Sequence, residues 1–416
     1  MLNYKLDNGI RLIGENLPHL HTLSMGIWVG VGSQNELDSE NGLSHFIEHM
    51  VFKGTATRTA RDIAEEMDSI GAGMNAFTSK NCTCFYVRSL DRDMYKGLEM
   101  LCDLVYRPRF DEIELEKERQ VVLEEIAMSL DTPEDLISDI AASSVHEGSL
   151  SKTILGPESL IKSYSRKDLC SYWQKHYTPS NIVISVVGNY NEQELIKITE
   201  ELFSSSPNKT TSIEKSKNTL KLGSSYLNKD IEQDHILLTY PAYELNSNME
   251  YAMSVVNNIL GGGMSSRIFQ KVREELGLAY SVYSYTNKYA QLGTLCIYAG
   301  TNSQSAVAVI KALTDEIEKL KHSYITQKEF NIGKAQIMSS LEFSMESSAA
   351  RMSRIGRSLL LCGTVPSQDQ IIKDIDSITI DNINEVINHC FMCKPAISIL
   401  GPNAEEVFEK IDNLKF

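Results

Sequence analysis

The side chains with the clearest chemical potential lie in one stretch of five residues, His45-Phe-Ile-Glu48-His49. Two histidines four positions apart share one face of a helix, the spacing at which two imidazoles can bind one tetrahedral zinc ion. Glu48 lies on the same stripe, close enough to take a proton from a water molecule on that metal. The competing interpretation is a solvated polar helix face, but such faces favour Lys, Glu, Arg and Gln over histidine.

A catalytic zinc site needs a third protein ligand, which has to come from another element. Residues 111–130 are typical of a helix with Asp111 at its N-cap. Glu118 and Glu125 lie seven residues apart on the face of this helix that also carries two valines. A carboxylate on an apolar stripe is costly unless it is paired or metal-bound. Both residues are therefore candidates, although a salt-bridged surface glutamate is the simpler interpretation of either one alone.

The hydrophobic pattern around the histidines predicts an amphipathic helix over residues 43–53. At about 100° per residue, the apolar side chains fall opposite the histidines and define the core face. The predicted core residues are Leu43, Phe46, Ile47, Met50 and Val51. Asn41 or Ser39 can cap the start of this helix, and Gly54 can end it.

The composition sets limits on the class of protein. With 416 residues, the chain is expected to form two or three domains, and a net charge of −15 argues against a nucleic-acid or anionic-membrane binder. It contains no apolar run long enough to span a membrane, and its N-terminus has no targeting pattern. The eight cysteines mostly lie among apolar residues, as buried thiols do in a reducing compartment. We expect a cytoplasmic protein.

A polar Ser/Thr/Lys-rich stretch near the middle of the chain predicts a linker over residues 211–222. It separates residues 1–210 from residues 223–416, and the two halves repeat a similar order of strands and helices. We expect an α+β fold in which each half forms an antiparallel-rich sheet with helices packed on one face. The first half carries the predicted zinc site and is expected to be the catalytic domain.

With its glutamate beside the second histidine, the five-residue motif resembles the inverted zinc motif of the pitrilysin/insulinase-type metallopeptidases, the inverzincins. The resemblance covers essentially the whole chain and extends to the segments NGIRLIGENLP, GAGMNAFTSKNCTCFYV, HYTPSNIVISVVGN and LGGGMSSRIFQKVREELGLAYSVYS. It implies two αβ-roll domains and one Zn²⁺ per chain. The third ligand in the family corresponds to Glu125, with Glu124 as the nearest alternative. Glu118 matches an acid that orients the ligands.

The resemblance also assigns residues for binding peptides. Arg273 and Tyr280 match a pair in the second half that faces the substrate, where a guanidinium and a phenol can polarise the scissile carbonyl. Asn75, Ala76, Phe77 and Thr78 match an edge strand onto which substrate is laid as an added β-strand, and the first three are the predicted substrate-binding residues. Without the resemblance, these would be ordinary surface and strand residues.

The closest likeness is to the small bacterial relatives of mitochondrial processing peptidase. Asp135 and Asp139 lie where processing peptidases bind an arginine near the cleavage site, and two carboxylates one helical turn apart suit a guanidinium. Two solvated helix acids are an equally good interpretation. The resemblance further implies a homodimer that accepts short or unfolded, presequence-like peptides. Hydrolysis of such peptides by a zinc-dependent endopeptidase is the function that we expect.

Two other functions compete with this expectation. Some members of the family are non-catalytic scaffold or partner subunits, but such subunits usually lose one or more of the site residues, and this chain has all of them. The second alternative is thiol redox chemistry at Cys390 and Cys393, which requires exposed cysteines with a low pKa.

Overall fold

The structure is a computed structural model that describes residues 1–205 and 217–412, residue 412 by its backbone only. The chain divides into two compact units. The described residues of the first unit fall within Met1–Ala127, Lys152–Ser216 and Phe343–Val365. Those of the second unit fall within Met128–Ser151, Lys217–Glu342 and Pro366–Phe416.

The secondary structure alternates groups of strands and helices. The strands of the described residues are β1 (Leu2–Lys5), β2 (Arg11–Asn16), β3 (Thr22–Val29), β4 (Gly73–Thr78), β5 (Thr83–Leu90), β6 (His146–Glu147), β7 (Ile182–Gly188), β8 (Thr219–Leu220), β9 (Ser225–Asn228), β10 (Asp234–Ala242), β11 (Ser281–Lys288), β12 (Gly293–Thr301) and β13 (Ala396–Gly401). The helices are α1 (Leu43–Val51), α2 (Ala60–Ser69), α3 (Met94–Tyr106), α4 (Glu112–Asp131), α5 (Pro133–Val145), α6 (Glu158–Ser163), α7 (Arg166–His176), α8 (Glu192–Phe203), α9 (Glu250–Gly261), α10 (Ala306–Ser323), α11 (Gln327–Met345), α12 (Ser348–Cys362), α13 (Gln368–Ser377), α14 (Ile380–Cys390) and α15 (Ala404–Asp412). A π-helix spans Phe269–Glu275.

The first unit is built on a sheet with strand order β1-β2-β7-β3-β5-β4, in which β2 and β7 are parallel and the other pairs antiparallel. One face buries a core shared with α1, α3, α7 and α8. The opposite face packs against α12, a helix from the second half of the sequence. There, Gly356 lies so close to the indole of Trp28 that a Cβ atom would stand 2.1 Å from its Nε1.

The sheet of the second unit has the order β9-β13-β10-β12-β11, which repeats β2-β7-β3-β5-β4 strand for strand. Its parallel pair, β13 with β9, corresponds to β7 with β2. One face buries a core shared with α9, α10 and α14, and the other packs against α5 from the first half of the sequence. The predicted α+β class is confirmed, and in each unit the second sheet face is covered by a helix from the other half.

This exchange of α5 and α12 is the main way in which the compact units differ from a division at the linker. Residues 211–216 of the predicted linker lie outside the described residues, while Thr219–Leu220 forms strand β8, which pairs with β6. The catalytic role assigned to residues 1–210 stays a prediction. The sequence patterns predicted no helix at the positions of α6, α8, α13 and α15. Within the described ranges, none of the helices combines the length and the apolar character needed to cross a lipid bilayer.

Candidate active site

Helix α1 holds the two histidines, and its predicted core face is confirmed: all five apolar residues named above are buried. The expected caps are wrong. The helix begins after Gly42, whose φ of 97° is left-handed, and the buried carboxylate of Glu36 closes the first turn. Glu36 accepts hydrogen bonds from the amides of Gly42 at 2.9 Å and Ser44 at 2.8 Å. Asn41 donates its side-chain amide to the same carboxylate at 3.0 Å, so it supports the cap without forming it.

Three potential metal ligands converge beside α1. His49 Nε2 lies 3.2 Å from His45 Nε2 and 3.2 Å from Glu125 Oε2, and His45 Nε2 lies 3.4 Å from the same oxygen. A tetrahedral zinc ion with bonds of about 2.0–2.2 Å places its ligand atoms about 3.3–3.6 Å apart. The three observed separations are close to this range, so the atoms could hold one zinc ion after only a small adjustment. His45 is buried while His49 and Glu125 are partly exposed, which leaves the cluster accessible from one side.

Glu118 orients the second histidine. Its carboxylate is buried, accepts a hydrogen bond from His49 Nδ1 at 2.8 Å and forms an ion pair with Lys53 Nζ at 2.7 Å. Burial alone would lower the pKa of His49, but its bonds to Glu118 and Glu125 raise that pKa to about 9. The same contacts of both histidines hold the pKa of Glu125 well below its usual range. A histidine held by a carboxylate through its other ring nitrogen is the usual arrangement of a metal ligand.

Glu48 points from the same polar stripe and is held by the edge strand. Thr78, the last residue of β4, donates its hydroxyl to Glu48 Oε2 at 2.5 Å. Burial raises the pKa of Glu48 above its ordinary value, while the Thr78 hydrogen bond and the nearby imidazoles oppose that shift. The carboxylate thus lies beside the three-residue cluster that could hold a metal and is not one of its members.

The predicted substrate-binding residues Asn75, Ala76 and Phe77 lie on β4, and β4 is the edge strand of its sheet, as expected. The ring of Phe77 is 39% exposed and packs edge-on against Trp28. The amide of Ala76 donates to the side-chain oxygen of Asn75 at 2.8 Å. An added strand would compete with that local hydrogen bond.

Arg273 and Tyr280 belong to the second unit. Arg273 lies on the π-helix, and its guanidinium sits between two rings, 4.5 Å from the centroid of Tyr280 and 4.8 Å from that of Phe269. Tyr280 is 76% exposed, so its hydroxyl is free to meet a ligand. Single π-helical turns occur frequently at functional sites. The structure therefore brings these two predicted residues into direct contact with each other.

The other acids named from the sequence, Asp135, Asp139 and Glu124, are not members of the three-residue cluster that could hold a metal. Asp135 is exposed and Asp139 half-buried on α5 in the second unit. Glu124 is exposed and lies outside this cluster, which favours Glu125 as the ligand.

The two cysteines considered for redox chemistry are poor candidates. Cys390 is buried, and burial raises its pKa to about 12. Cys393 is largely exposed, but the partial burial of its thiol still raises its pKa. These pKa shifts disfavour the thiolate that redox chemistry requires.

Sequence reasoning missed two residues of this site, Glu36 and Lys53, and the contact that Thr78 makes with Glu48. Lys53 was detectable, because in the predicted helix over residues 43–53 it follows His49 by four residues and lies on the same face. Thr78 was matched to the edge strand, but nothing in its position indicated that its hydroxyl reaches Glu48. Glu36 gave no usable signal, since its contact with the helix depends on the path of the loop before it.

Comparison with known proteins defines the class to which this fold and site belong. Residues 11–158 match the family described as insulinase, peptidase family M16, and residues 163–337 match the M16 inactive domain. The chain is 40% identical over 404 residues to the uncharacterized zinc protease YmxG of Bacillus subtilis, covering 96% of this chain and 98% of that protein. It is 33% identical to an uncharacterized zinc protease of Streptomyces coelicolor, with 95% and 88% covered. The chain belongs to the M16 peptidase family.

Solved structures support the same fold. A protease from Helicobacter pylori matches with a TM-score of 0.90 at 23% identity, covering 96% of this chain and 98% of that one. A structure described as the peptidase M16 inactive domain from Pseudomonas fluorescens matches with a TM-score of 0.89 at 20% identity, with 96% and 97% covered. At these identities the two structures show the fold alone. The expected pitrilysin/insulinase-type family is confirmed by the family models and the curated relatives.

Proposed function

We propose that this protein is a zinc-dependent endopeptidase of the HxxEH type. The observation that carries the proposal is the convergence of His45 Nε2, His49 Nε2 and Glu125 Oε2 at 3.2–3.4 Å, with the carboxylate of Glu48 on the same helix stripe. These three atoms would hold one zinc ion per chain. The names of the relatives as zinc proteases agree with this assignment.

A zinc ion in such a site supplies Lewis acidity and lowers the pKa of a bound water to about 7. In the proposed reaction the Glu48 carboxylate accepts a proton from the attacking water and later donates it to the leaving amine. Thr78 keeps that carboxylate in place through its hydrogen bond. Glu118, supported by Lys53, holds the ring of His49 in the orientation that a ligand needs.

The proposal assigns peptide binding to β4 and to the aromatic-stacked arginine. A peptide pairing with the exposed edge of β4 is held through its main chain, so its sequence is only weakly restricted. Arg273 and Tyr280 would stabilise the negative charge that develops on the scissile carbonyl oxygen. The stacking of the two side chains supports their acting together.

Three finer features belong to the proposal. We infer that Asp135 and Asp139 bind an arginine near the cleavage site of presequence-like peptides, that the chain forms a homodimer, and that it works in the cytoplasm. No disulfide joins any of the eight cysteines, all of which lie in the described part of the chain, and this agrees with a reducing compartment. Asp135→Asn with Asp139→Asn should slow cleavage of arginine-containing peptides about tenfold. Equal slowing of arginine-free peptides would contradict the arginine pocket.

The decisive test combines metal analysis with peptide-library cleavage. We expect the purified protein to contain about one zinc per chain, to cleave internal bonds, to lose activity with a chelator and to recover it with added zinc. If the purified protein contains about one zinc per chain but cleaves no peptide, it would instead be a scaffold subunit of the same fold. Sedimentation or light scattering on the same sample tests the dimer.

A further inference from the structure

Thr78 takes part in two features of the site, the hydrogen bond of Glu48 and the edge strand β4. Its hydroxyl donates to Glu48 Oε2 at 2.5 Å, and Thr78 is also the last residue of the edge strand β4. The proposed base is therefore held by a side chain of the strand onto which a peptide would be laid.

The register of the hairpin shows which way the main chain of Thr78 faces. Ser79 donates its amide to the carbonyl of Cys82 at 2.9 Å, so this pair is hydrogen-bonded within the hairpin. Hydrogen-bonded and non-hydrogen-bonded pairs alternate along antiparallel strands. Thr78, opposite Thr83, is therefore a non-hydrogen-bonded position, and so are Ala76 and Met74 further along β4.

At such positions on an edge strand the N–H and C=O groups point away from the neighbouring strand. The short contact between the Ala76 amide and the Asn75 side chain agrees with this assignment, because that amide is not used by β5. The outward main-chain groups of β4 are consequently those of alternate residues, ending at Thr78. A peptide added to this edge would pair with the same residue whose side chain holds Glu48.

We propose that Thr78 is a positioning residue that couples the pairing of a peptide with β4 to the placement of Glu48. The inference rests on the proposed peptidase function. Pairing fixes the main chain of Thr78, and a fixed main chain fixes the direction from which its hydroxyl reaches the carboxylate. The hydrogen bond is already formed without a peptide. A peptide long enough to pair with β4 would hold the Thr78 main chain, and with it this hydrogen bond, in place during the reaction, whereas a substrate too short to pair would leave Thr78 held by its own hairpin alone.

A purely structural role for the hydroxyl makes a different prediction. Thr78 Oγ1 lies 3.4 Å from Thr83 Oγ1, and Thr83 donates to the carbonyl of Val31 at 2.9 Å. If Thr78 served only this polar cluster, its loss would affect folding stability and all substrates alike. Thr78→Val keeps the shape and removes the hydroxyl, whereas Thr78→Ser keeps the hydroxyl, so the two variants separate the roles.

The experiment measures kcat and KM for the zinc-loaded full chain with a peptide of about eight residues, which spans β4, and with a dipeptide amide, which cannot pair along it. For Thr78→Val we expect kcat on the long peptide to fall about ten- to a hundredfold, the range for losing a hydrogen bond to a charged group. We expect KM to change little, bound zinc to be unchanged, and cleavage of the dipeptide amide to change less than about threefold. Thr78→Ser should restore most of kcat.

Thr199→Val is the matched control, since it removes a buried hydroxyl that donates within α8 to the Leu195 carbonyl at 2.7 Å. Its kinetics should match those of the wild type. An unchanged kcat in Thr78→Val, an equal loss on both substrates, or no restoration by Thr78→Ser would each overturn the coupling. If the zinc-loaded wild type cleaves neither substrate, the proposed function fails, and that result is distinct from all of the others.

Discussion

The two units of this protein repeat one sheet order, yet they place different chemistry on equivalent helices. In the first unit, α1 follows the central strand β3 and carries two histidines and a glutamate on its polar face. In the second unit, α9 follows the equivalent strand β10, and its partly buried polar positions are Glu250, which pairs with Lys288, and Tyr251, Ser254, Asn257 and Asn258. Among the described residues, the His/Glu cluster suited to a metal occurs only in the first unit.

The helices α4 and α11 also differ in what their glutamates contact. In α4, Glu118 and Glu125 point toward the histidines of α1. In α11, Glu329 forms a paired contact with Arg267, at 2.6 Å from Nε and 3.0 Å from Nη2, and accepts a hydrogen bond from the amide of Thr326 at the start of the helix. The glutamates of α4 thus meet the candidate metal cluster, whereas Glu329 of α11 is held by an ion pair.

The largest expected effect on the difference between the two units is the loss of one of the three proposed zinc ligands. Glu125→Gln should abolish stoichiometric zinc binding and cleavage together, because two imidazoles alone do not complete a structured zinc site. Metal analysis after dialysis measures the effect. Glu124→Gln, at the exposed neighbouring position, is the matched control and should retain both properties. If Glu124→Gln loses zinc instead, the ligand has been assigned one residue too late.

The next largest effect is a loss of catalysis in a protein that still binds zinc. Glu48→Gln should reduce kcat about a hundred- to ten-thousandfold, the range for losing a general base, and should keep about one zinc per chain. Steady-state kinetics and metal analysis on the same sample test this. Loss of zinc with activity retained would refute the separation of Glu48 from the three ligands.

A smaller effect should follow from loosening a ligand. Glu118→Gln removes the charge that holds His49 Nδ1 and should weaken zinc affinity about ten- to a hundredfold, with the fold intact. Competition with a fluorescent zinc chelator gives the affinity. Glu112→Gln, at an exposed position of the same helix, should have no effect. Equal zinc affinities in the two variants would show that Glu118 serves only as the ion-pair partner of Lys53.

The smallest effect is expected in the second unit and should appear in stability alone. Glu329→Gln should lower the free energy of unfolding by about 1–2 kcal/mol at neutral pH and leave zinc binding unchanged. Burial alone would raise the pKa of Glu329, but its contacts with Arg267 and Thr326 hold that pKa below its usual range. Because the folded pKa lies below the unfolded value, this stabilisation is present above about pH 4 and is lost as the pH falls further. Urea unfolding of both proteins at pH 7 and pH 3.5 should show the difference shrinking; a constant difference would exclude the ion pair as its cause.

The sequence predicted the elements of the site better than their contacts. The pattern around His45 and His49 determined the buried face of α1, since helical periodicity is a local property. The register of Glu125 against Glu124 came from the resemblance, because a difference of one residue can be settled only by the packing of α4 on α1. The contact between Thr78 and Glu48 depends on the position of β4 beside that helix, which no local pattern encodes.

The exchange of α5 and α12 was also beyond local patterns. Periodicity marks Leu136 and Ile137 in α5, or Met352 and Ile355 in α12, as core residues, but it does not say which sheet they cover. The sequence predicted helices on one face of each sheet only, so the layer that covers Trp28 on the second face of the first sheet was missed. The helix that forms this layer, α12, lies more than 300 residues further along the chain, and only the topology of the whole chain places it there.

That exchange dictates the order in which the molecule can be finished during synthesis. Ribosomes deliver the N-terminal sheet first, yet the helix that covers its second face lies within Phe343–Val365. Until that segment emerges, Trp28 and its neighbours remain uncovered, and the unit that carries the histidines cannot reach its final packing. The half of the chain that is made first is therefore completed almost last, and neither half expressed alone would contain all of its own core.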